Sequence, residues 1–120
     1  MAKILVVDDA EFLRVRISKI LMSNGHEVIE ANNGANAVHT YMTARPDPDL
    51  VLMDLEMPEM DGLAALKAIR AADPKARVVM LTALGQESIV LEAIKAGARD
   101  FIVKPFQPER VLSAISRVLG

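Results

Sequence analysis

The chain has no cysteine, no long hydrophobic run and no excess of basic residues. Without cysteine it can form no disulfide, no thiolate nucleophile and no cysteine-ligated zinc site. A formal net charge of −2 provides no basic field to attract a nucleic-acid backbone, so we expect no direct nucleic-acid binding. The apolar run after the N-terminal Met-Ala-Lys is too short for a signal peptide or a membrane span, so we expect a cytoplasmic protein without membrane contact.

Length and composition are those of one globular domain. A chain of 120 residues can build one hydrophobic core but not two, and we expect residues 1–120 to form a single domain. Hydrophobic residues make up 52% of the sequence and charged residues 25%, a balance typical of folded rather than disordered chains.

Short apolar runs alternate five times with segments of helical periodicity. The connections are short and contain turn residues such as Asn24-Gly25 and Pro46-Asp47-Pro48. This alternation predicts an α/β fold, in which helices cover both faces of a parallel sheet. The predicted strands are 3–7, 27–31, 50–54, 77–82 and 100–103, and the predicted helices are 11–23, 34–44, 62–72, 86–96 and 107–119.

Four of the predicted strands end in side chains that suit metal and phosphate chemistry. The first strand runs into Asp8 and Asp9, the third into Asp54, the fourth into Thr82 and the fifth into Lys104. In open parallel sheets, ligands bind outside the carboxyl ends of the strands, where these residues would meet. Three carboxylates, a hydroxyl and an ammonium in one crevice suit a divalent cation and a phosphoryl group.

Simpler interpretations of these residues exist. Asp8 and Asp9 could act only as helix N-caps, Thr82 as a β-branched strand residue, and Lys104 as a solvated loop charge. Asp54 is harder to explain in this way, because a carboxylate that closes a central apolar strand is costly unless a cation meets it. Oxygen ligands, and the lack of a suitably placed histidine or cysteine, favour Mg²⁺ over zinc or copper.

In their order along the whole chain, five motifs resemble those of the receiver domain of two-component response regulators. They are Val6-Val7-Asp8-Asp9, Leu52-Met53-Asp54, Met57-Pro58-Glu59-Met60-Asp61-Gly62, Leu81-Thr82-Ala83 and Lys104-Pro105-Phe106. The resemblance implies a single flavodoxin-like (βα)5 domain with the strand order 2-1-3-4-5. It also implies a cis peptide bond between Lys104 and Pro105.

The resemblance further implies a role for each residue of the crevice. Asp54 would be the nucleophile that accepts a phosphoryl group from a histidine kinase and becomes an aspartyl phosphate. Lys104 and Thr82, helped by the amide of Ala83, would contact the phosphoryl oxygens. Such a protein catalyses its own phosphorylation and dephosphorylation and is not an enzyme with a separate substrate. The Mg²⁺ ligands would be Asp8, directly or through water, together with Asp9, Asp54 and the backbone carbonyl of Glu56.

Receiver domains couple phosphorylation to partner binding through two switch residues, which the resemblance assigns to Thr82 and Phe101. Phe101 lacks the hydroxyl often found at its position, so we expect this coupling to rest on packing. Glu56 and Leu84 are expected to tune the lifetime of the phosphoryl group. Glu56 could do so by pairing with Lys104 in the unphosphorylated state, or by obstructing the water that hydrolyses the acyl phosphate. The expected partner surface consists of Ile89, Val90, Lys95, Phe101 and Gln107, although Ile89 and Val90 would equally fit the core side of an amphipathic helix.

Segments 92–98 and 106–108 are similar to those of chemotaxis-type regulators. The resemblance implies a monomer that takes part in chemotaxis and binds a protein target such as the flagellar motor switch. A phosphatase is a possible further partner. The same motifs would also fit an isolated receiver domain from a longer regulator with another output.

Two other functions share parts of this pattern. A flavodoxin-like ligand-binding module would have the same strand order, but the first βα loop, Asp8-Asp9-Ala10-Glu11, lacks the Ser, Thr and Gly that cradle a phosphate. A Mg²⁺-dependent phosphatase with an aspartate nucleophile would need a general acid two residues after Asp54, where Glu56 stands. The chain is short for the substrate cap of such an enzyme, and the receiver motifs explain more residues.

Overall fold

Five strands alternate with five helices in the part of the chain that the structure describes. This computed structural model describes residues 2–57, 60–83 and 85–120, so the predicted contributions of Pro58, Glu59 and Leu84 lie outside it. The strands are β1 Lys3–Val7, β2 Glu27–Ala31, β3 Leu50–Asp54, β4 Val78–Ala83 and β5 Asp100–Lys104. The helices are α1 Glu11–Ser23, α2 Gly34–Thr43, α3 Gly62–Ala72, α4 Glu87–Lys95 and α5 Pro108–Leu119.

The strands form one sheet in the order β2-β1-β3-β4-β5, and each adjacent pair is parallel. The α/β fold class and the strand order implied by the resemblance are therefore confirmed. Because all strands run in the same direction, their carboxyl ends lie along one edge of the sheet. That edge carries the polar residues that follow the apolar runs.

Alternate residues of the central strands pack into two separate hydrophobic cores. In β1, Ile4 and Val6 pack in the core formed with α1 and α5, whereas Leu5 and Val7 pack in the core formed with α2, α3 and α4. Every residue of β3 is buried. Burial on both faces explains the uninterrupted apolar runs, and complete burial of each such side chain contributes about 1.5–3 kcal/mol.

The predicted elements match the observed ones closely. The bounds of β1, α1, β2, β3 and α3 are those predicted, and each other element differs by one residue at one or both ends. The Lys104–Pro105 peptide bond is cis, as the resemblance implies. No helix in the described part of the chain combines the length and the hydropathy needed to cross a membrane.

Gly62, the first residue of α3, lies against the backbone of the β3–α3 connection. Its amide donates to the carbonyl of Leu55 at 3.0 Å. A β-carbon at this position would collide with the carbonyl of Asp54 and the α-carbon of Leu55. The packing of α3 against the end of β3 therefore requires a residue without a side chain.

We expect Gly62→Ala to destabilise the protein by about 1–3 kcal/mol, because the added carbon meets rigid backbone on β3. Helix propensity alone predicts the opposite sign, since alanine is favoured over glycine by about 1 kcal/mol in a helix. Urea denaturation measures the difference. The control is Ala64→Gly, an exposed position of the same helix, which should cost only about 1 kcal/mol. A more stable Gly62→Ala protein would contradict the close contact.

Candidate functional site

Side chains from four adjacent strands meet at the carboxyl edge of the sheet. Asp54 is the last residue of β3 and pairs in register with Leu81. Thr82 and Ala83 of β4 pair with Val103 and Lys104 of β5. Asp8 follows β1 directly, and its amide donates to the carbonyl of Ala31 at the end of β2 at 3.2 Å. The register of the sheet thus brings the residues predicted from the strand ends into one place.

Lys104 bridges two of the three carboxylates. Its Nζ lies 3.2 Å from Oδ2 of Asp8 and 3.2 Å from Oδ1 of Asp54. Oxygen atoms of Asp8, Asp9 and Asp54 all lie within 4.8 Å of one another. Asp8 and Asp54 are buried, whereas Asp9 is exposed at the mouth of the site. Structure and sequence agree on which carboxylates converge.

Burial and charge shift the protonation equilibria of this cluster. Burial, followed by the neighbouring charge of Asp8, raises the pKa of Asp54 to about 6, although Lys104 and the amide of Glu56 act in the opposite direction. Burial by itself lowers the pKa of Lys104, but the carboxylates of Asp54 and Asp8 outweigh it and the net shift is upward. Lys104 therefore stays charged at neutral pH, whereas the raised pKa of Asp54 lies close to neutral pH.

The donor set fits a hard divalent cation. The three carboxylates and one ammonium leave two negative charges uncompensated, and carboxylate oxygens are the ligands that Mg²⁺ prefers. Among the described residues the cluster contains neither histidine nor cysteine, so nothing in it favours zinc or copper. Glu56 is adjacent, since its amide donates to Oδ1 of Asp54 at 3.3 Å. The role of its carbonyl as a ligand stays a prediction.

Two of the simpler interpretations can be compared with the structure. The N-cap residue of α1 is Ala10, and no side chain caps this helix. Instead, Oδ1 of Asp8 accepts from the amide of Ala10 at 2.9 Å, so Asp8 does bond to local backbone while its other oxygen faces Lys104. Lys104 is three-quarters buried and paired, and is not a solvated loop charge. Within the described chain its ammonium pairs with Asp8 and Asp54, not with Glu56 as expected.

Thr82 and Phe101 border one cavity. The Thr82 side chain is buried, and its Oγ1 donates to the carbonyl of Ala83 at 3.2 Å. Phe101 is partly buried against the core. A cavity of about 280 Å³ between β4, β5 and α4 is lined by both residues and by Val90, Leu91 and Ile94. The two predicted switch residues therefore share a space that either side chain could enter.

The residues expected on the partner surface separate into three groups. Lys95 and Gln107 are exposed, and Ile89 and Phe101 are partly buried. Val90 is 8% exposed and belongs to the core, so it offers almost no area to a partner. The large exposed apolar side chains of α4 are instead Leu91 at 59% and Ile94 at 44%, which sequence reasoning missed. The only signal was the phase of the helix, which three consecutive apolar residues (89–91) leave ambiguous.

Arg14 was also missed. Its guanidinium donates to the backbone carbonyl of Asp8 at 2.8 Å and forms an ion pair with Glu30 at 2.8 Å. A single arginine in an amphipathic helix carries no sequence signal of such a contact, because the acceptor is a backbone atom.

Comparison with known proteins identifies the family to which this chain belongs. The family model described as "Response regulator receiver domain" matches residues 4–116. The chain belongs to the response regulator receiver family. Its receiver domain is 57% identical to the chemotaxis protein CheY of Bacillus subtilis (strain 168), an alignment that covers 98% of each chain. It is 50% identical to the chemotaxis protein CheY of Thermotoga maritima, over 97% of this chain and 96% of the relative.

Solved structures agree with the sequence relatives. One chain of the CheX–CheY–BeF3–Mg²⁺ complex from Borrelia burgdorferi superposes on this receiver domain with a TM-score of 0.94 and 38% identity. The superposition covers 99% of this chain and 90% of that chain. The relatives place the receiver domain among proteins of two-component signal transduction and chemotaxis.

The raised pKa of Asp54 predicts a pH-dependent stability change. The folded-state pKa of about 6 exceeds the ordinary value of 3.8, so ionisation of Asp54 destabilises the metal-free receiver as pH rises through this window. We expect Asp54→Asn to raise the unfolding free energy at pH 7.5 by about 1–3 kcal/mol, and by much less at pH 4.5. Urea denaturation of both proteins at the two pH values, in the presence of EDTA, measures these differences in unfolding free energy. An equal gain at the two pH values would contradict the shift.

Proposed function

We propose that residues 1–120 act as one receiver domain that accepts a phosphoryl group on Asp54 in a Mg²⁺-dependent reaction and thereby controls a protein-binding surface in chemotaxis. The observation that carries this proposal is the bridged carboxylate cluster at the carboxyl edge of the sheet. A buried aspartate beside a lysine and two further carboxylates has little structural purpose, because the same edge could be closed by neutral polar residues. The arrangement is suited to phosphoryl transfer.

We infer that Asp8, Asp9 and Asp54, with the carbonyl of Glu56, hold the Mg²⁺ ion. The two uncompensated negative charges of the cluster support this inference. When bound, Mg²⁺ neutralises part of the charge on the carboxylates and on the phosphoryl oxygens. Asp8 has one oxygen committed to Ala10 and the other to Lys104, which is consistent with a ligand role through water.

The transfer step uses the residues in distinct roles. An oxygen of the Asp54 carboxylate forms a bond to phosphorus, the bond from phosphorus to the phosphohistidine nitrogen breaks, and that nitrogen keeps the electron pair. Oδ1 of Asp54 already accepts from Lys104 and Glu56, and no described residue bonds to Oδ2, which leaves it available for attack. Lys104 and the hydroxyl of Thr82 then stabilise negative charge on the phosphoryl oxygens.

Partners follow from this chemistry and from the relatives. We infer a histidine kinase as the phosphodonor, a target such as the flagellar motor switch, and a phosphatase that shortens the signal. The solved complex of CheY with CheX supports the view that proteins of this kind bind protein partners. We place the receiver in the cytoplasm as a monomer, where such a kinase could reach it. Its target would contact the surface between α4 and β5, with Lys95, Leu91, Ile94, Phe101 and Gln107.

Substitution of Asp54 tests the acceptor. Wild-type protein incubated with acetyl phosphate and Mg²⁺ should gain one phosphoryl group, as measured by intact-mass spectrometry, and Asp54→Asn should abolish the gain because the nucleophile is lost. EDTA should have the same effect as the mutation. Asp47→Asn is the control, since Asp47 is exposed and pairs only with Arg45 in the described chain.

Two results would contradict the acceptor assignment. Unchanged phosphate uptake by Asp54→Asn would move the acceptor to another residue. Multiple turnover of a small phosphomonoester by the wild-type protein would favour the alternative of a Mg²⁺-dependent phosphatase.

We infer that phosphorylation is coupled to the partner surface through the cavity shared by Thr82 and Phe101. Among the described residues the Thr82 hydroxyl has only a local backbone acceptor, so a phosphoryl oxygen on Asp54 would compete for it. Movement of Thr82 toward Asp54 would enlarge the cavity next to Phe101. Because phenylalanine has no hydroxyl, the ring would respond to this space by packing alone.

Substitution of Thr82 tests the coupling. We expect Thr82→Val, which removes the hydroxyl at almost constant shape, to leave the Phe101 ring signals unchanged when beryllofluoride and Mg²⁺ are added. The wild-type ring signals should shift. Selective labelling of the three phenylalanines allows NMR to measure this, and Phe12, exposed on α1, is the internal control. Equal shifts of Phe101 in both proteins would contradict the coupling.

A further inference from the structure

Arg14 lies outside the crevice but holds the loop that carries two of its carboxylates. From α1, its Nη1 donates to the backbone carbonyl of Asp8 at 2.8 Å. Its Nε donates to Oε1 of Glu30 on β2, also at 2.8 Å. The side chain is only 16% exposed despite its charge. One guanidinium therefore joins the β1–α1 loop to the neighbouring strand.

Asp8 has a partner at each of its polar atoms. Its amide donates to Ala31, its Oδ1 accepts from Ala10, and its Oδ2 accepts from Lys104. The remaining atom, the carbonyl oxygen, accepts from Arg14. This oxygen belongs to the planar peptide that joins Asp8 to Asp9, so Arg14 fixes the orientation of that plane.

The position of the Asp9 carboxylate depends on this peptide more than the positions of the Asp8 and Asp54 carboxylates do. Its side chain is exposed, and no described residue forms a hydrogen bond with its carboxylate. The helix that follows has no side-chain N-cap. The direction of the Asp9 carboxylate is therefore set by the backbone, which is held before Asp9 by the bond from Arg14 to the Asp8 carbonyl and after it by the bond from the Ala10 amide to Oδ1 of Asp8.

We propose that Arg14, oriented by Glu30, is a positioning residue that fixes the Asp8–Asp9 peptide and thereby places the Asp9 carboxylate for the divalent cation. This inference rests on the proposed function, because it assumes that the cluster binds Mg²⁺. Arg14 contacts neither the cation nor the phosphoryl group and acts only through the loop. The bidentate geometry of its guanidinium allows it to hold the carbonyl and the carboxylate of Glu30 at once.

A positioning role and a purely electrostatic role of Arg14 predict opposite changes in Mg²⁺ affinity when Arg14 is removed. If Arg14 were only a positive charge near a cation site, its removal would reduce repulsion and tighten Mg²⁺ binding. If Arg14 positions a ligand, its removal loosens the loop and weakens binding. Residues that orient metal ligands typically change metal affinity by about 10–100-fold when they are mutated. The sign of the change therefore distinguishes the two roles.

The test is a calorimetric titration of unphosphorylated protein comprising residues 1–120 with MgCl₂. We expect Arg14→Ala to weaken Mg²⁺ binding by about tenfold. Lys19→Ala is the matched control, because it removes the same charge from α1 at an exposed position, and it should leave affinity unchanged or slightly tighter. Arg14→Lys keeps the charge but cannot hold both acceptors, so we expect an intermediate loss.

A second readout separates positioning from a general loss of stability. At low Mg²⁺, Arg14→Ala should take up phosphate from acetyl phosphate more slowly than the wild type. At saturating Mg²⁺ the rate should return to near the wild-type value, because Asp54, Lys104 and Thr82 are intact. Because bound Mg²⁺ also stabilises the folded state, urea denaturation must show that Arg14→Ala is folded at the low Mg²⁺ concentration.

The outcomes for this inference and for the proposed function are distinguishable. Mg²⁺ affinity in folded Arg14→Ala equal to or tighter than wild type would overturn the positioning role. If that variant fails to fold, wild-type affinity in Arg14→Lys would do the same. A wild-type protein that binds Mg²⁺ but never phosphorylates Asp54 would overturn the proposed function and leave the role of Arg14 supported by the titration. A wild-type protein that binds no Mg²⁺ would overturn both.

Discussion

The ion pairs of Lys104 with Asp8 and Asp54 connect the end of β5 to the loop after β1 and the end of β3. Three carboxylates gathered at this edge repel one another, and the buried Asp8 and Asp54 lose hydration when the strands assemble. The ammonium offsets part of this cost without removing it, as the raised pKa of Asp54 shows. The protein therefore folds with the cluster in place, and the cluster keeps a net negative charge. This remaining negative charge allows the edge to attract a cation.

The scaffold and the site depend on different features of the sequence. Ile4, Val6 and the buried residues of β3 fix the sheet through burial on both faces, and this arrangement tolerates exchange among apolar residues of similar size. The site depends on where each strand stops, since one residue of displacement would turn Asp54 away from the edge. The close contact of Gly62 with the end of β3 adds a further constraint on that position. The apolar core and the polar edge thus place separate demands on the chain.

Much of this arrangement could be predicted because apolar runs that end in polar residues define strand ends directly. Asp54, Thr82 and Lys104 were located in this way, and the family resemblance supplied the strand order that makes them neighbours. The phase of α4 could not be predicted, because three consecutive apolar residues fit more than one buried stripe. The contact of Arg14 with the Asp8 carbonyl could not be predicted either. Every residue carries a backbone carbonyl, so the sequence does not indicate which one accepts a hydrogen bond. The pairing of Lys104 with Asp8 depends on distances that sequence spacing does not contain.

Asp8 and Lys104 touch although 96 positions separate them along the chain. The bridged cluster therefore forms only after β5 has joined the sheet, and an N-terminal fragment that ends before Lys104 cannot form it. A chain still emerging from the ribosome would carry Asp8, Asp9 and Asp54 long before Lys104 is synthesised. Shorter chains that lack Lys104 thus carry the carboxylates of the cluster without the ammonium that bridges them.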